Sequence, residues 1–502
     1  MNHMSEGEVR LQYSGFILFL SRLLSIGTGL IFSLMVTRNI STEEFGVYGN
    51  ITDVLSYFTL AASIFPFWEA RSVARKRPSS SVTGLTANLF ISLPMSLIYL
   101  GVLPAIMGAF QVGAKYLIVY AIATIHILEL YLLTAFEAAL QAKRPQALGF
   151  GFLVFELSKV GFGFALMMQF GLGLFGAIAS IVSALIFQLL FYLRLTLPEL
   201  REKIMWSYIK EWLKASFLNI YGIVGHRLLA FTSIFLFIYG GELARAYYGA
   251  GLTIASIIGY SSYLAFALYP RLLSENRPQD VSVSLRMVLM FAIPMTTGAM
   301  ILSDSLLIIL SPAYAIAQFV LILLSLNLLF LAITSVFDAV VGGTENLDAQ
   351  AKISYKDIIR SRLFLALTLP YVQAAVTVPL TYIVLTTAVK GAVEAATYLA
   401  LINMSASIVL VTVKYAIARR CLGFDIPWNH IGKYLGASFL MALAIYLLPT
   451  PTRISTTVAF ALLGAIIYFS VLSIVDEETR IIAKSTRDEL LKAFRIPQAK
   501  GA

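Results

Sequence analysis

Cysteine occurs once, at Cys421, so no disulfide can close within the chain and no Cys/His cluster can hold a metal. Histidine occurs four times, too few for a multi-histidine centre. Charge is also scarce. Asp, Glu, Lys and Arg make up 13% of the 502 residues, about half the share usual in a soluble domain. That scarcity excludes disorder, coiled coil, collagen and a string of soluble domains. The phosphate-binding-loop signature of nucleotide-driven pumps is missing, which excludes an ATP-driven exporter on one chain. No extramembrane segment is large. The longest, about 194–216, 340–362 and 476–502, are too short for a catalytic or nucleotide-binding domain, and no cofactor is expected.

Apolar runs fill the space that charge leaves, with 59% hydrophobic residues. A bilayer core needs roughly 20 apolar residues per helix. By that measure about fourteen spans are predicted, near 12–36, 44–66, 84–108, 116–140, 147–170, 172–193, 217–238, 246–269, 287–310, 316–339, 363–386, 395–413, 434–449 and 454–475. The first run, Leu11–Val36, is too long for a signal-peptide core and lacks a small-x-small cleavage site before Arg38, so it reads as a retained helix. The segment 192–216 alternates Glu199, Arg201, Glu202, Lys203, Lys210, Glu211 and Lys214 with Met205, Trp206, Tyr208 and Ile209, a pattern expected partly at a membrane surface.

The net charge of +10 is mostly a topology signal. With the N-terminus inside, about 29 of the 37 basic residues fall in the tails and even-numbered loops. The outer loops hold only Arg38, Lys115, Arg245, Lys390 and Arg453. The asymmetry predicts N-in, C-in topology and an even number of helices. A nucleic-acid partner is not expected. Asn39-Ile40-Ser41 is formally a glycosylation sequon, but it abuts the end of helix 1 and reads as chance.

A weak internal repeat sets the domain plan. Arg22-Leu23-Leu24 in helix 1 returns as Arg227-Leu228-Leu229 in helix 7. Each is followed by an apolar run, a short acidic loop (Glu43, Glu44; Glu242) and a Tyr-Gly opening the next helix, Tyr48-Gly49 and Tyr248-Gly249. Six helices per half keep both halves in one orientation, so the repeat is parallel. The expectation is an all-α polytopic membrane protein. It has a six-helix lobe over 1–200, an amphipathic linker over 201–216, a second six-helix lobe over 217–420, two further helices in 421–475 and a tail over 476–502.

A charge at mid-bilayer costs at least about 2.5–3.5 kcal/mol, so intramembrane ionisable residues are functional candidates. Arg22, Lys159 and Arg227 lie in helices 1, 5 and 7, each roughly 15–18 Å from the inner end. Three cations at one depth suggest a ring around a cavity. The competing reading is that each pairs with a carboxylate, and for Lys159 the partner would be Glu156, one turn away. His226 lies beside Arg227 in a stripe with Asn219, Gly222 and Ser233; Ser14, Ser25, Gly29 and Ser33 form a similar stripe near Arg22. Such stripes suit a cavity or close helix packing. Asp53, His126, Glu129 and Glu156 are candidates for carrying a coupling H⁺ or Na⁺, or counter-ions of the cations. Pro94, Pro104, Pro294, Pro370 and Pro379 would kink their helices. No nucleophile–base pair and no metal-spaced cluster emerges.

Three stretches carry a family resemblance. Arg38-Asn39-Ile40-Ser41-Thr42-Glu43-Glu44-Phe45-Gly46-Val47-Tyr48 resembles the loop after helix 1 in the polysaccharide-unit flippases of the multidrug/oligosaccharidyl-lipid/polysaccharide exporter superfamily. Ala246-Tyr247-Tyr248-Gly249-Ala250-Gly251, running on to Tyr269-Pro270, is similar to that family's start of the second half. Ser311-Pro312-Ala313-Tyr314-Ala315 is similar to its short outer loop. The resemblance implies a monomeric alternating-access flippase in the cell membrane that moves a lipid-linked oligosaccharide from the inner to the outer leaflet. It implies that Arg22, Lys159 and Arg227 meet the lipid (pyro)phosphate. Helices 13 and 14, uncharged within their spans and rich in Leu, Ala, Ile and Phe, read from composition as helices facing membrane lipid or a lipid groove. Two alternatives stand beside the flippase: a cation-coupled drug or metabolite exporter of the same superfamily, and a membrane-embedded glycan-processing enzyme. The second is disfavoured because Glu43, Glu44, Glu242 and Glu394 are scattered on short loops.

Overall fold

A computed structural model describes residues 24–25, 27–265, 268–269, 272, 277–344 and 361–476. The described residues form helices joined by short turns. In chain order these are α1 (27–39), α2 (Thr42–Phe58), α3 (Ile64–Ala74), α4 (Ser80–Ala109), α5 (Leu117–Lys143), α6 (Gln146–Gly163), α7 (Gly173–Thr196), α8 (Trp206–Ala215), α9 (Phe217–Gly259), α10 (Pro278–Ile301), α11 (Ser303–Leu310), α12 (Gln318–Gly343), α13 (Arg362–Thr387), α14 (Ala392–Cys421), α15 (Trp428–Tyr446) and α16 (Ile454–Val475). Among them, ten segments are long and apolar enough to cross a membrane, or eleven if one bent pair is a single span. The protein is an all-α, multi-pass membrane protein. Arg22 lies outside the described residues, as do Ser14 and the tail over 477–502.

The bent pair is α2 and α3, which differ in direction by 53° where a single span over 44–66 is expected. The local sequence explains the break. A 3₁₀ turn, Leu60–Ser63, separates the two, and Pro66 sits in the first turn of α3, where its missing N–H costs nothing. The carbonyl of Ala62, freed by the bend, accepts from Asn88 Nδ2 at 3.0 Å and Thr134 Oγ1 at 2.9 Å, so α4 and α5 replace the lost helical bond. The turn between α1 and α2 is also locally determined. Ser41 caps α2 in a reciprocal capping box with Glu44, and Asn39 Nδ2 donates back to Met35 O at 2.8 Å. The sequon residues thus serve a helix–helix turn.

A second difference lies in α9. Spans 217–238 and 246–269 are expected with a loop between them; two helices are present there, but they meet directly at Gly241 with no loop between them. Gly241 has φ 79° and ψ 179°, a conformation essentially confined to glycine. One residue therefore does the work of a loop, and Arg245, expected in an outer loop, stands in helix. The prolines at 94, 104, 294, 370 and 379 all sit within continuous helices. Gly163 leads into a π-helical stretch, Phe164–Gln169, at the end of α6.

Contact density divides the chain into two units: residues 1–253, 310–320 and 359–406, and residues 254–309, 321–358 and 407–502. In the first, Val47, Ile51, Tyr99, Tyr120, Ile127, Tyr131 and Phe237 form the centre of the main apolar core. Segment 199–216 docks on this unit. Trp212 packs with Phe65 and Ala87, and Trp68 Nε1 donates to Ser216 Oγ at 3.0 Å. In the second, α15 and α16 pack through Gly464 against Met441 and Ile445, and Tyr468 donates to Met290 O of α10 at 2.8 Å. An open groove of about 730 Å³ runs along these two helices, lined by Trp428, Gly432, Lys433, Gly436, Phe439, Leu440, Val471 and Val475.

Candidate functional site

The intramembrane ionisable residues fall into distinct arrangements. Lys159 and Glu156, both buried on α6, pair at 2.9 Å. Thr28 of α1 donates a short hydrogen bond to the other Glu156 oxygen. The Lys159 ammonium also lies over the rings of Phe155 and Phe32, 5.0 and 5.6 Å from their centroids. Gly163 leaves room for Phe32 and Met35, where a Cβ would come within about 3 Å of both side chains. Thr28, Phe32 and Met35 recur at i, i+4 and i+7, so one face of α1 is bound to α6 around a neutralised charge. Replacing Lys159 by alanine leaves Glu156 buried without its cation and should destabilise by about 3–5 kcal/mol. The apolar double replacement Lys159→Met/Glu156→Leu should come close to neutral in a thermal unfolding assay.

Asp53 of α2 is met by Arg245, 192 residues away in sequence. Arg245 Nε donates to Asp53 Oδ2 at 2.7 Å and Nη2 to Oδ1 at 3.1 Å, a two-bond fork within one unit. Both side chains are largely covered, Arg245 the more so. Two glycines make room. A Cβ on Gly49 would come within 2.8 Å of the guanidinium carbon, and one on Gly249 within 3.1 Å of a guanidinium nitrogen. These are the glycines of the repeated Tyr-Gly pairs. Nearby, a Cβ on Gly46 would collide with the backbone carbonyl of Glu242, and Asn403 Nδ2 donates to Tyr248 Oη at 3.0 Å. Sequence reasoning missed Arg245. The signal available was Ala244 and Ala246 on either side of it, small residues that suit burial.

Glu129 and His126 share a face of α5, and Glu129 is 3% exposed. His126 Nδ1 lies 3.6 Å from Glu129 Oε2. Among the described residues neither Glu129 oxygen has a hydrogen-bond donor. Glu69 of α3 is likewise fully buried, with neither oxygen hydrogen-bonded among the described residues, beneath Gly84 of α4; it too escaped the sequence reading.

Arg227 on α9 is half-buried, and its carbonyl accepts from Tyr57 Oη at 3.2 Å. Among the described residues no carboxylate lies within 4.0 Å of its guanidinium. His226 beside it is exposed. The small-residue stripe of α9 is partly helix packing: a Cβ on Gly222 would press on Leu367 and one on Gly225 on Tyr371, both of α13. Around Gly29 of α1, by contrast, no described residue lies within 4 Å of where a Cβ would stand. From Arg227 a row of rings follows α9: Tyr57 and Phe231 with centroids 5.0 Å apart, Phe235 and Tyr239 at 5.8 Å, and Tyr382 at 5.5 Å from Tyr239. Of the expected three cations, one is paired with a carboxylate, one has no such partner among the described residues, and Arg22 lies outside them.

In the second unit, Lys414 pairs with Asp338 at 2.7 Å and Ser407 donates to Asn327 Oδ1 at 2.6 Å, both joining α14 to α12. At the start of α15, Lys433 and His430 lie 3.0 and 3.2 Å from the buried Asp476. Among the described residues no group of three or more metal-ligating side chains converges.

This fold resembles that of solved transporters of the multidrug/oligosaccharidyl-lipid/polysaccharide (MOP) superfamily. The lipid II flippase MurJ in an inward closed conformation matches with a TM-score of 0.64 and 14% identity, over 93% of this chain and 99% of the other. A multidrug resistance MATE family transporter of the MOP superfamily matches in its inward-facing conformation with a TM-score of 0.57 and 13% identity, over 79% of this chain and 95% of the other. In its outward-facing conformation such a transporter matches at 0.53 and 11%, over 82% and 96%. At these identities the likeness is one of fold, and the neighbours are transporters and flippases, not enzymes. No family model matches the sequence. No curated protein matches it.

Proposed function

We propose that the protein is a flippase that carries a lipid-linked oligosaccharide across the membrane by alternating access, with the six-helix halves 1–200 and 217–420 as the moving bodies. The observation that carries this reading is the extent of the fold match. A flippase corresponds over 93% of this chain, against 79–82% for the MATE transporters, so it accounts for more of the chain. Arg227 supports the reading as a half-buried cation with no carboxylate neighbour among the described residues. In a low-dielectric setting it forms strong charge-assisted hydrogen bonds to a phosphate. Arg22, the counterpart of Arg227 in the Arg-Leu-Leu sequence repeat, is assigned the same role. Lys159, already neutralised by Glu156, has the smaller share, and His226 contributes a hydrogen bond. The groove along α15 and α16 receives the lipid tail. The protein acts as a monomer in the cell membrane.

The test is a leaflet-orientation assay in proteoliposomes with a polyprenyl-pyrophosphate-linked sugar. Arg227→Ala is expected to cut the flipping rate at least ten-fold, the loss of one charge-assisted contact of about 1.5–3 kcal/mol, and Arg22→Ala/Arg227→Ala to abolish it. Full transport by the double variant would refute the role.

One observation favours the cation-coupled exporter as a second reading. Glu129 is a buried carboxylate beside His126, without a hydrogen-bond donor among the described residues, and an intramembrane carboxylate is the type of group that carries a coupling H⁺ or small cation. On that reading Glu129→Gln abolishes gradient-driven export, and lipid-linked sugars do not bind.

A further inference from the structure

We propose that segment 201–213 forms a binding surface for anionic phospholipid head groups, built from Arg201, Lys203 and Lys210 around an inserted Trp206 and Leu213. The inference rests on the membrane fold alone and holds whichever substrate is moved. Helix α8 has two unlike faces. Tyr208, Ile209 and Trp212 turn inward onto Phe65, Trp68 and Ala87. Trp206, Lys210 and Leu213, at i, i+4 and i+7, form the opposite face, and Trp206 and Leu213 are 56% and 55% exposed. A helix of ordinary soluble character would not leave both outward.

Charge on this segment is sorted by sign. Each acidic residue is engaged with the protein body. Glu199 pairs with Lys143 at 2.9 Å, Glu202 accepts from the Ser79 amide at 2.6 Å, and Glu211 holds Arg77 at 2.9 Å. Arg201, Lys203 and Lys210 are exposed and have no ionic partner among the described residues. The surface left over is basic and studded with two large apolar side chains, the composition of a helix lying in the head-group layer.

Position fixes the occupant as lipid. The Trp206 ring lies 5.9 Å from Phe90 of α4. Phe90 belongs to a run of exposed apolar residues on that helix, with Leu93, Leu97 and Leu100, a face suited only to hydrocarbon. Trp206 therefore stands at the end of a lipid-facing stripe, where interfacial tryptophan belongs. Arg201 and Lys203 precede Trp206 by five and three residues and Lys210 follows it by one helical turn, so all three exposed cations flank the interfacial tryptophan in the chain.

The experiment compares vesicles of phosphatidylcholine alone with vesicles containing phosphatidylglycerol, each with acyl chains brominated near the head group. The reporter is tryptophan quenching in the full chain, with Trp206→Phe giving the background. Near an anionic surface each basic residue contributes roughly a five-fold preference. Quenching of Trp206 should be stronger with phosphatidylglycerol. The triple variant Arg201→Gln/Lys203→Gln/Lys210→Gln should lose that preference by ten-fold or more while its unfolding temperature in phosphatidylcholine is unchanged. A triple variant with undiminished preference would overturn the proposal. So would a Trp206 quenched by neither lipid, which would assign the face to a soluble partner. Leu213→Ser offers an independent check, since it should weaken quenching by both lipids equally.

Discussion

Replacing Arg245 by alanine should lower stability by about 3–5 kcal/mol, the effect of removing one partner from a buried, doubly bonded ion pair. The cause is less the lost attraction than the stranded charge. Asp53 would keep its place on α2 while losing both guanidinium donors, and Gly49 and Gly249, which make room for the guanidinium, would border a cavity. Asp53→Asn should cost less, because a neutral amide still offers an oxygen to the guanidinium. An unfolding series in detergent, completed by the double variant, would give the coupling energy; a value near zero would mean that the pair contributes nothing. The double replacement Asp53→Leu/Arg245→Met should recover most of the stability, as apolar replacements of buried pairs do elsewhere. If it recovers stability but not transport, the pair serves movement.

The second large effect is expected from Gly46→Ala. A methyl group there would overlap the main-chain carbonyl of Glu242. A flexible side chain could swing away; a backbone carbonyl just after the Gly241 break cannot, so α2 must shift bodily. Overpacking of this kind costs typically about 1–3 kcal/mol, and the rigid neighbour places Gly46→Ala at the upper end. Gly101→Ala on α4 is the control. No described residue lies within 4 Å of where its Cβ would stand, and the helix gains the roughly 1 kcal/mol by which alanine exceeds glycine. Unfolding temperatures that move in opposite directions for the two alanines would support the close approach of α2 and Glu242. Equal shifts would refute it.

These sites also mark where sequence reading succeeds. Lys159 and Glu156 are three residues apart on one helix, and periodicity alone names them as partners. The apolar runs define the helices because hydrocarbon demands them, whatever their neighbours. Arg245 was not legible. An arginine between two short apolar runs looks like a loop marker, and nothing local announces that Gly241 will turn the chain without a loop. Its partner lies 192 residues away, so only the folded arrangement brings them together. The bend between α2 and α3 was missed for a related reason, since the carbonyl it frees is satisfied by Asn88 and Thr134 from other helices.

The fork between Asp53 and Arg245 has a consequence for descent as well as for stability. Gly49, Asp53, Arg245 and Gly249 fit one another so closely that none can change alone without penalty. The four positions should therefore behave as one inherited unit. Among related sequences, an apolar residue at 53 should accompany an uncharged one at 245, and larger residues should enter 49 and 249 only where the arginine has gone.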